Sequence, residues 1–130
     1  MKKVFGIVFV LAALVLGSSA SDARSQQAQL RDSRYNDLAQ IIFHENVNPL
    51  VIEIRKYLNF PEMRNGILVL GSINGPEMWA KLGRLTSWKR EESFTVSSQI
   101  TRSGKLQFLR QLYLVDGATG QVVAVAHRPY

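Results

Sequence analysis

The chain has 130 residues and a formal net charge of +6, from 16 basic and 10 acidic side chains. It contains no cysteine, which excludes disulfides, thiolate metal sites and a lipid-carrying cysteine behind a signal sequence. With 46% hydrophobic residues, this length suits one small domain stabilised by an apolar core.

Lys2 and Lys3 precede an apolar run from Val4 to Leu16, broken only by Gly6, and Gly17-Ser18-Ser19-Ala20 supplies the small residues a signal peptidase needs. This is the order of a secretory signal, expected over residues 1–20 with cleavage after Ala20 and Ala23 as the second site. The alternative is an uncleaved anchor, although the run falls short of the roughly 20 apolar residues that cross a bilayer. Cleavage removes Lys2 and Lys3 and leaves 14 basic against 10 acidic side chains, a balance of +4. Such a chain is expected in the periplasm or secreted, away from nucleic acid. Its complementary surfaces are anionic membrane, acidic glycan and acidic protein. Residues 21–29 are small and polar and read as a flexible linker; residues 30–130 read as a single domain.

From Leu30 to Phe43, the apolar residues Leu30, Tyr35, Leu38, Ile41 and Ile42 suit an amphipathic helix, with Asp32 or Ser33 as its start. The stretch HENVNP breaks it. Pro49 suits the first turn of a second helix capped by Asn48, with a stripe of Leu50, Val51, Ile54, Tyr57 and Leu58. The β-branched content of this segment also allows a strand. Asn65-Gly66 marks a turn, and ILVLGSI follows as a short apolar strand covered on both faces. Pro76 and Glu77 suit the start of a third helix, with Met78, Trp79, Leu82, Leu85 and Trp88 near helical spacing and Lys81, Arg84, Lys89 and Arg90 on the remaining arc. Gly83 weakens that helix by about 1 kcal/mol.

The C-terminal part alternates more cleanly. Phe94, Val96, Ser98 and Ile100 share one face of an expected strand, and Arg102-Ser103-Gly104-Lys105 turns it. A second strand carries Leu106, Phe108, Leu112 and Leu114 on one face, interrupted by Arg110, and Leu109, Tyr113 and Val115 on the other. Asp116 to Gly120 forms a hairpin loop, Val122 to Ala126 returns as a third strand, and Pro129 stops it. The expected fold is therefore α+β: a small antiparallel sheet with a C-terminal three-strand meander, packed against two or three helices.

The search for chemistry yields no catalytic constellation. His44-Glu45 and the distant His127 lack metal-ligand spacing, so no metal or cofactor is expected. Ser72 in LGSING lacks the spacing of a nucleophile elbow, and no phosphate loop is present. Glu91-Glu92 beside Lys89-Arg90 reads as a solvated charged turn, and Asp116 as a turn residue bonding its own backbone. Trp79 and Trp88 stand on different faces of the expected helix. The plain reading has both packing the sheet; the functional reading exposes one beside Lys81, Arg84, Lys89 and Arg90 as an aromatic-basic contact patch. Arg110 and Tyr113 on the second C-terminal strand are candidates for the other wall of that surface.

The segment SSQITRSGKLQFLRQLYLVDGATGQVVAVA, through Gln99, Ile100, Leu112, Leu114, Val115, Asp116, Thr119, Gly120, Val122 and Val123, resembles a recurring pattern of bacterial envelope domains. It is similar to the end of the penicillin-binding-protein activator family of LpoB and of CsgG-like and FlgO-like proteins. GILVLGSI followed by KLGRL is similar to their earlier strand-then-helix unit. The likeness implies an α+β accessory domain that binds an envelope partner, and it transfers no catalytic residue. The chain also departs from that pattern in lacking the lipidation cysteine and a long middle segment. The function expected is an exported, non-enzymatic accessory that binds an envelope or secretion-assembly protein. The alternatives are a binder of a small ligand or an anionic lipid or glycan surface, and a small hydrolase or its inhibitor.

Overall fold

A computed structural model describes residues 25–45 and 49–129, with the backbone alone for residues 76–79. The expected signal sequence and the Asn48 cap lie outside these residues. Eight strands occupy most of the rest: β1 Ser25–Asp32, β2 Asp37–His44, β3 Val51–Lys56, β4 Gly66–Ser72, β5 Gly75–Arg84, β6 Glu91–Thr95, β7 Gln111–Asp116 and β8 Val122–His127. A five-residue helix, α1 (Ser98–Arg102), and a 3-10 turn at Lys105–Phe108 link β6 to β7.

The strands form one antiparallel sheet in the order β5-β4-β7-β8-β1-β2-β3-β6. Its outer strands curl back towards each other. Gly83 of β5 lies so close to Phe94 of β6 that an added Cβ would stand 3.1 Å from that ring. The Thr86 N–H, just after β5, donates to Glu92 Oε2 of β6 at 2.9 Å. The result is a nearly closed barrel whose seam is held by side chains rather than by a backbone ladder.

This corrects the α+β expectation, with its two or three helices. In the first supposed helix, Asp32 instead closes a tight turn, and Ala39, Ile41 and Phe43 then alternate inward along β2. The helical spacing of Leu38, Ile41 and Ile42 arose because β2 carries buried apolar residues on both faces. Residues 25–29, read as linker, form the first half of β1, where they pair with β2. The second supposed helix is β3, with Ile52 and Ile54 inward against Glu53 and Arg55 outward, so β-branching prevailed. The third is β5, laddered to β4. The three-strand meander is not formed either. β6 pairs with β3, on the far side of the sheet from β7. Past Thr95 the alternation fails because Ser97 caps a helix, its Oγ accepting the Gln99 N–H at 3.2 Å. Only the β7–β8 hairpin of that region keeps its expected place, with the Gly120 N–H donating to Asp116 O at 2.7 Å and Gly120 in the left-handed region at φ 78°.

Leu30, Ile41, Phe43, Ile52, Ile54, Leu68, Leu70, Leu112 and Leu114 fill the barrel interior and are fully buried. Each such side chain contributes about 1.5–3 kcal/mol of burial. An eight-stranded barrel is just wide enough to be packed solid in this way. The antiparallel order gives the barrel two distinct ends. One is closed by α1 and the 3-10 turn, with Val96, Ile100, Leu106 and Leu109 packed on the core. The other gathers the turn after β1, the β3–β4 loop, the β5–β6 loop and the β7–β8 hairpin.

Candidate functional site: the loop end of the barrel

Three neighbouring loops build this end. In the first, the Asp32 carboxylate accepts N–H bonds from Arg34 and Asn36, both 2.9 Å, and a third from Asn36 Nδ2 at 3.1 Å. The backbone and side-chain N–H groups of Asn36, with help from Arg34, hold the Asp32 carboxyl below its ordinary value despite partial burial. The turn forces Tyr35 to φ 66°, a left-handed conformation costly for a bulky residue, and leaves its ring 83% exposed.

The second loop, residues 57–65, is pinned beside the first. Tyr57 Oη donates to Gln29 Oε1 at 2.9 Å, and Asn59 Nδ2 donates to Asp37 O at 3.1 Å. Phe60 and Met63 fold under to pack on the core, which lifts Leu58 into solvent at 88% exposure. The third loop, residues 85–90, is anchored by Leu85, buried and donating its N–H to Gly66 O at 2.8 Å. Beneath it Lys56 Nζ donates to Thr86 O at 2.6 Å and stands 3.5 Å from Glu92 Oε2. This ion pair is almost wholly buried, with 8% and 9% of the two side chains exposed. The Lys56 N–H donates to Arg90 O at 2.9 Å, tying the end of β3 to the third loop. Trp88 at the tip is 76% exposed, with Lys89 Nζ 5.2 Å from its ring centre.

Between the second and third loops runs a groove of about 200 Å³, lined by Tyr57, Leu58, Phe60, Trp88, Lys89 and Arg90 among others. A second groove, of about 260 Å³, crosses the outer face of β1 and β8 beside Tyr35, Val123, Val125 and His127. Its Arg31 wall is bonded to Asp37 at 2.6 Å. Both volumes fall below the roughly 300–1,000 Å³ of ordinary small-ligand pockets. These two grooves therefore offer contact surface rather than enclosed sites.

The residues singled out from the sequence divide. Trp88, Lys89 and Arg90 come together on the third loop, and Arg84 is exposed at the same end of β5. Lys81 is exposed further along β5, and Trp79 is a residue of that strand. No helix face gathers these six. Arg110 and Tyr113 stand elsewhere: Arg110 Nη2 donates to the carbonyls of Arg128 and Pro129 at the helix-capped end, and Tyr113 Oη donates to Ser72 O. Tyr35 and Leu58 had been assigned to helical core stripes. The turn chemistry of DSRYN and the polar break after Leu58 were the available signals of their exposure.

The remaining polar groups act as scaffold. His44 Nε2 and Arg55 Nε flank Glu53 at 3.1 and 2.8 Å. Burial raises the Glu53 carboxyl, but the bonds from Arg55 and His44 outweigh it and hold the group below its ordinary value. At the capped end, Arg128, only 7% exposed, is held in a fork by Glu45 at 2.9 Å to each oxygen and donates to the carbonyls of Leu106 and Leu109. Among the described residues no three His, Asp or Glu side chains converge as a metal site, and no helix is long and apolar enough to cross a membrane. Comparison with family models, curated proteins and solved structures gave no match.

Proposed function

We propose that this chain is an exported, non-enzymatic accessory that binds an envelope component through the loop end of its barrel. The observation that carries the reading is the projection of Tyr35, Leu58 and Trp88 into solvent from three adjoining, well-anchored loops. A single exposed apolar residue needs no explanation, but three bulky ones gathered on one rim suit a contact surface. The solid interior and small grooves favour a surface contact over a sequestered small ligand. The carboxylates of Glu45, Glu53 and Glu92 lie in structural ion pairs, which supports a binding role over general acid–base chemistry. Export is supported by the basic and apolar layout of residues 1–20.

The test is in-cell photocrosslinking. A photoreactive residue at position 88 or 58 should give a discrete adduct with an envelope component, and the same residue at Lys105, at the capped end, should not. Equal labelling from all three positions, or none, contradicts the reading. N-terminal sequencing of the exported protein checks the compartment: a start at Ser21 is expected, and an intact Met1 in a soluble cell fraction counts against export.

A further inference from the structure

Resting on the binding role proposed above, the geometry points to an anionic lipid surface as the component that the loop end contacts. Each of its three adjoining loops projects one bulky side chain that is more than three quarters exposed, and two of the three are Trp and Tyr; the second loop also exposes Tyr57 at 39%. Protein hot spots sit in desolvated pockets at the centre of an interface, ringed by contacts that exclude water. Tyr35, Leu58 and Trp88 are not set in such a pocket: Leu58 and Trp88 stand on the rims of an open groove, and more than three quarters of each of the three faces solvent. Separate knobs of this kind suit a medium that flows around them. The headgroup region of a bilayer is such a medium, and the amphipathic rings of Trp and Tyr favour it.

The charges complement an anionic surface. Residues 31–37, 57–65 and 84–91 carry the exposed cations Arg31, Arg34, Arg64, Arg84, Lys89 and Arg90 against the exposed acids Asp37, Glu62 and Glu91 and the half-buried Asp32, an excess of cations. Two of the knobs have a cation as chain neighbour: Arg34 beside Tyr35, and Lys89 beside Trp88. Apolar insertion and electrostatic attraction then act at the same points, the combination that holds peripheral proteins to membranes. The capped end also has exposed apolar groups, Ile73 and Phe108, and exposed cations, Arg102 and Lys105, but neither apolar group is a Trp or Tyr. It serves as the internal control.

The test uses the exported protein, purified as its host processes it, with vesicles of phosphatidylcholine alone or mixed with phosphatidylglycerol. A Trp79→Phe background assigns the emission to Trp88. Binding to the mixed vesicles is expected, with quenching of Trp88 by brominated lipid and loss of both in high salt. Arg34→Glu with Lys89→Glu should weaken binding by on the order of tenfold or more. Leu58→Ser with Trp88→Ser should weaken it roughly tenfold. Phe108→Ser with Lys105→Glu should leave it unchanged, and thermal melts check that every variant is folded. Unquenched Trp88 overturns the inference, as does equal binding to neutral vesicles or loss of binding in the capped-end variant instead. If Trp88 stays unquenched while crosslinking at position 88 yields a protein adduct, the lipid inference falls and the binding reading stands. Silence in both experiments removes both.

Discussion

The two ends of the barrel invest their side chains differently. At the capped end, α1 and the 3-10 turn lay Val96, Ile100, Leu106 and Leu109 over the core, and the Arg128 fork ties the chain after β8 to the loop after β2. At the loop end, the stabilising groups lie underneath: Phe60, Met63, Leu85 and the Lys56–Glu92 pair. What they support points outward and contributes little to the fold. The difference separates stability from recognition within one small domain. Removing a buried group at the capped end should destabilise the protein, whereas removing an exposed tip at the loop end should change only what it binds.

The comparison can be broken most directly at Arg128. Arg128→Met leaves the Glu45 carboxylate and two carbonyls without their donor and is expected to cost about 3 kcal/mol, read by urea unfolding. A loss below about 1 kcal/mol would mean that the fork is not what closes this end. Lys56→Met strands Glu92 beneath the third loop and should cost about 2 kcal/mol, while adding Glu92→Gln should recover part of it because no charge is then left buried. The sharper outcome concerns the seam: hydrogen exchange should rise at β5 and β6 before it rises at β1 and β2.

Tyr35→Asn should stabilise the fold by about 1 kcal/mol, since Asn tolerates the left-handed turn that strains Tyr35. A gain there would support the view that the ring is retained for contact. Acid provides a gentler probe. Asp32 and Glu53 titrate below their ordinary values of 3.8 and 4.5 in the folded chain, so their contribution is fully present above those values. It is lost as pH falls through the lowered folded values. The melting temperature should therefore drop on acidification in that window, and Arg55→Gln should flatten the drop by removing a donor to Glu53. The smallest expected effect on stability is that of Trp88→Ala, within about 0.5 kcal/mol, alongside weaker binding at the loop end. A larger loss would place Trp88 among the scaffold residues and erase the distinction between the ends.

Half of the strands were not legible: β1, β2, β3 and β5 read as linker or helix, and the clean alternation from Phe94 to Ile100 ends in α1. ILVLGSI and the β7–β8 hairpin lie where pattern and turn residues place them, because Asp116, Thr119 and Gly120 define that turn locally. Trp88, Lys89 and Arg90 are consecutive in the chain, so their grouping follows from sequence, whereas the loop that carries them was read as a helix end. Tyr35 and Leu58 were hidden by spacing that matches a helical stripe as well as it matches two strands broken by turns.

Composition and local pattern by themselves determined a basic, cysteine-free chain with an apolar core, its N-terminal apolar run and its C-terminal hairpin. These depend on residue type and on neighbours a few positions away. Only the tertiary structure decided that the supposed helices are strands. A segment with apolar residues on both faces satisfies either period, and its backbone groups take whichever partners the rest of the chain provides. Here β3 pairs with β6, a contact no local pattern spans, whereas β5 pairs with β4 locally across the two-residue turn at Ile73-Asn74, a hairpin signal that the helix reading of Pro76 and Glu77 passed over. The loop end exists for the same reason: long-range pairing brought three turns, unremarked one by one, to the same rim.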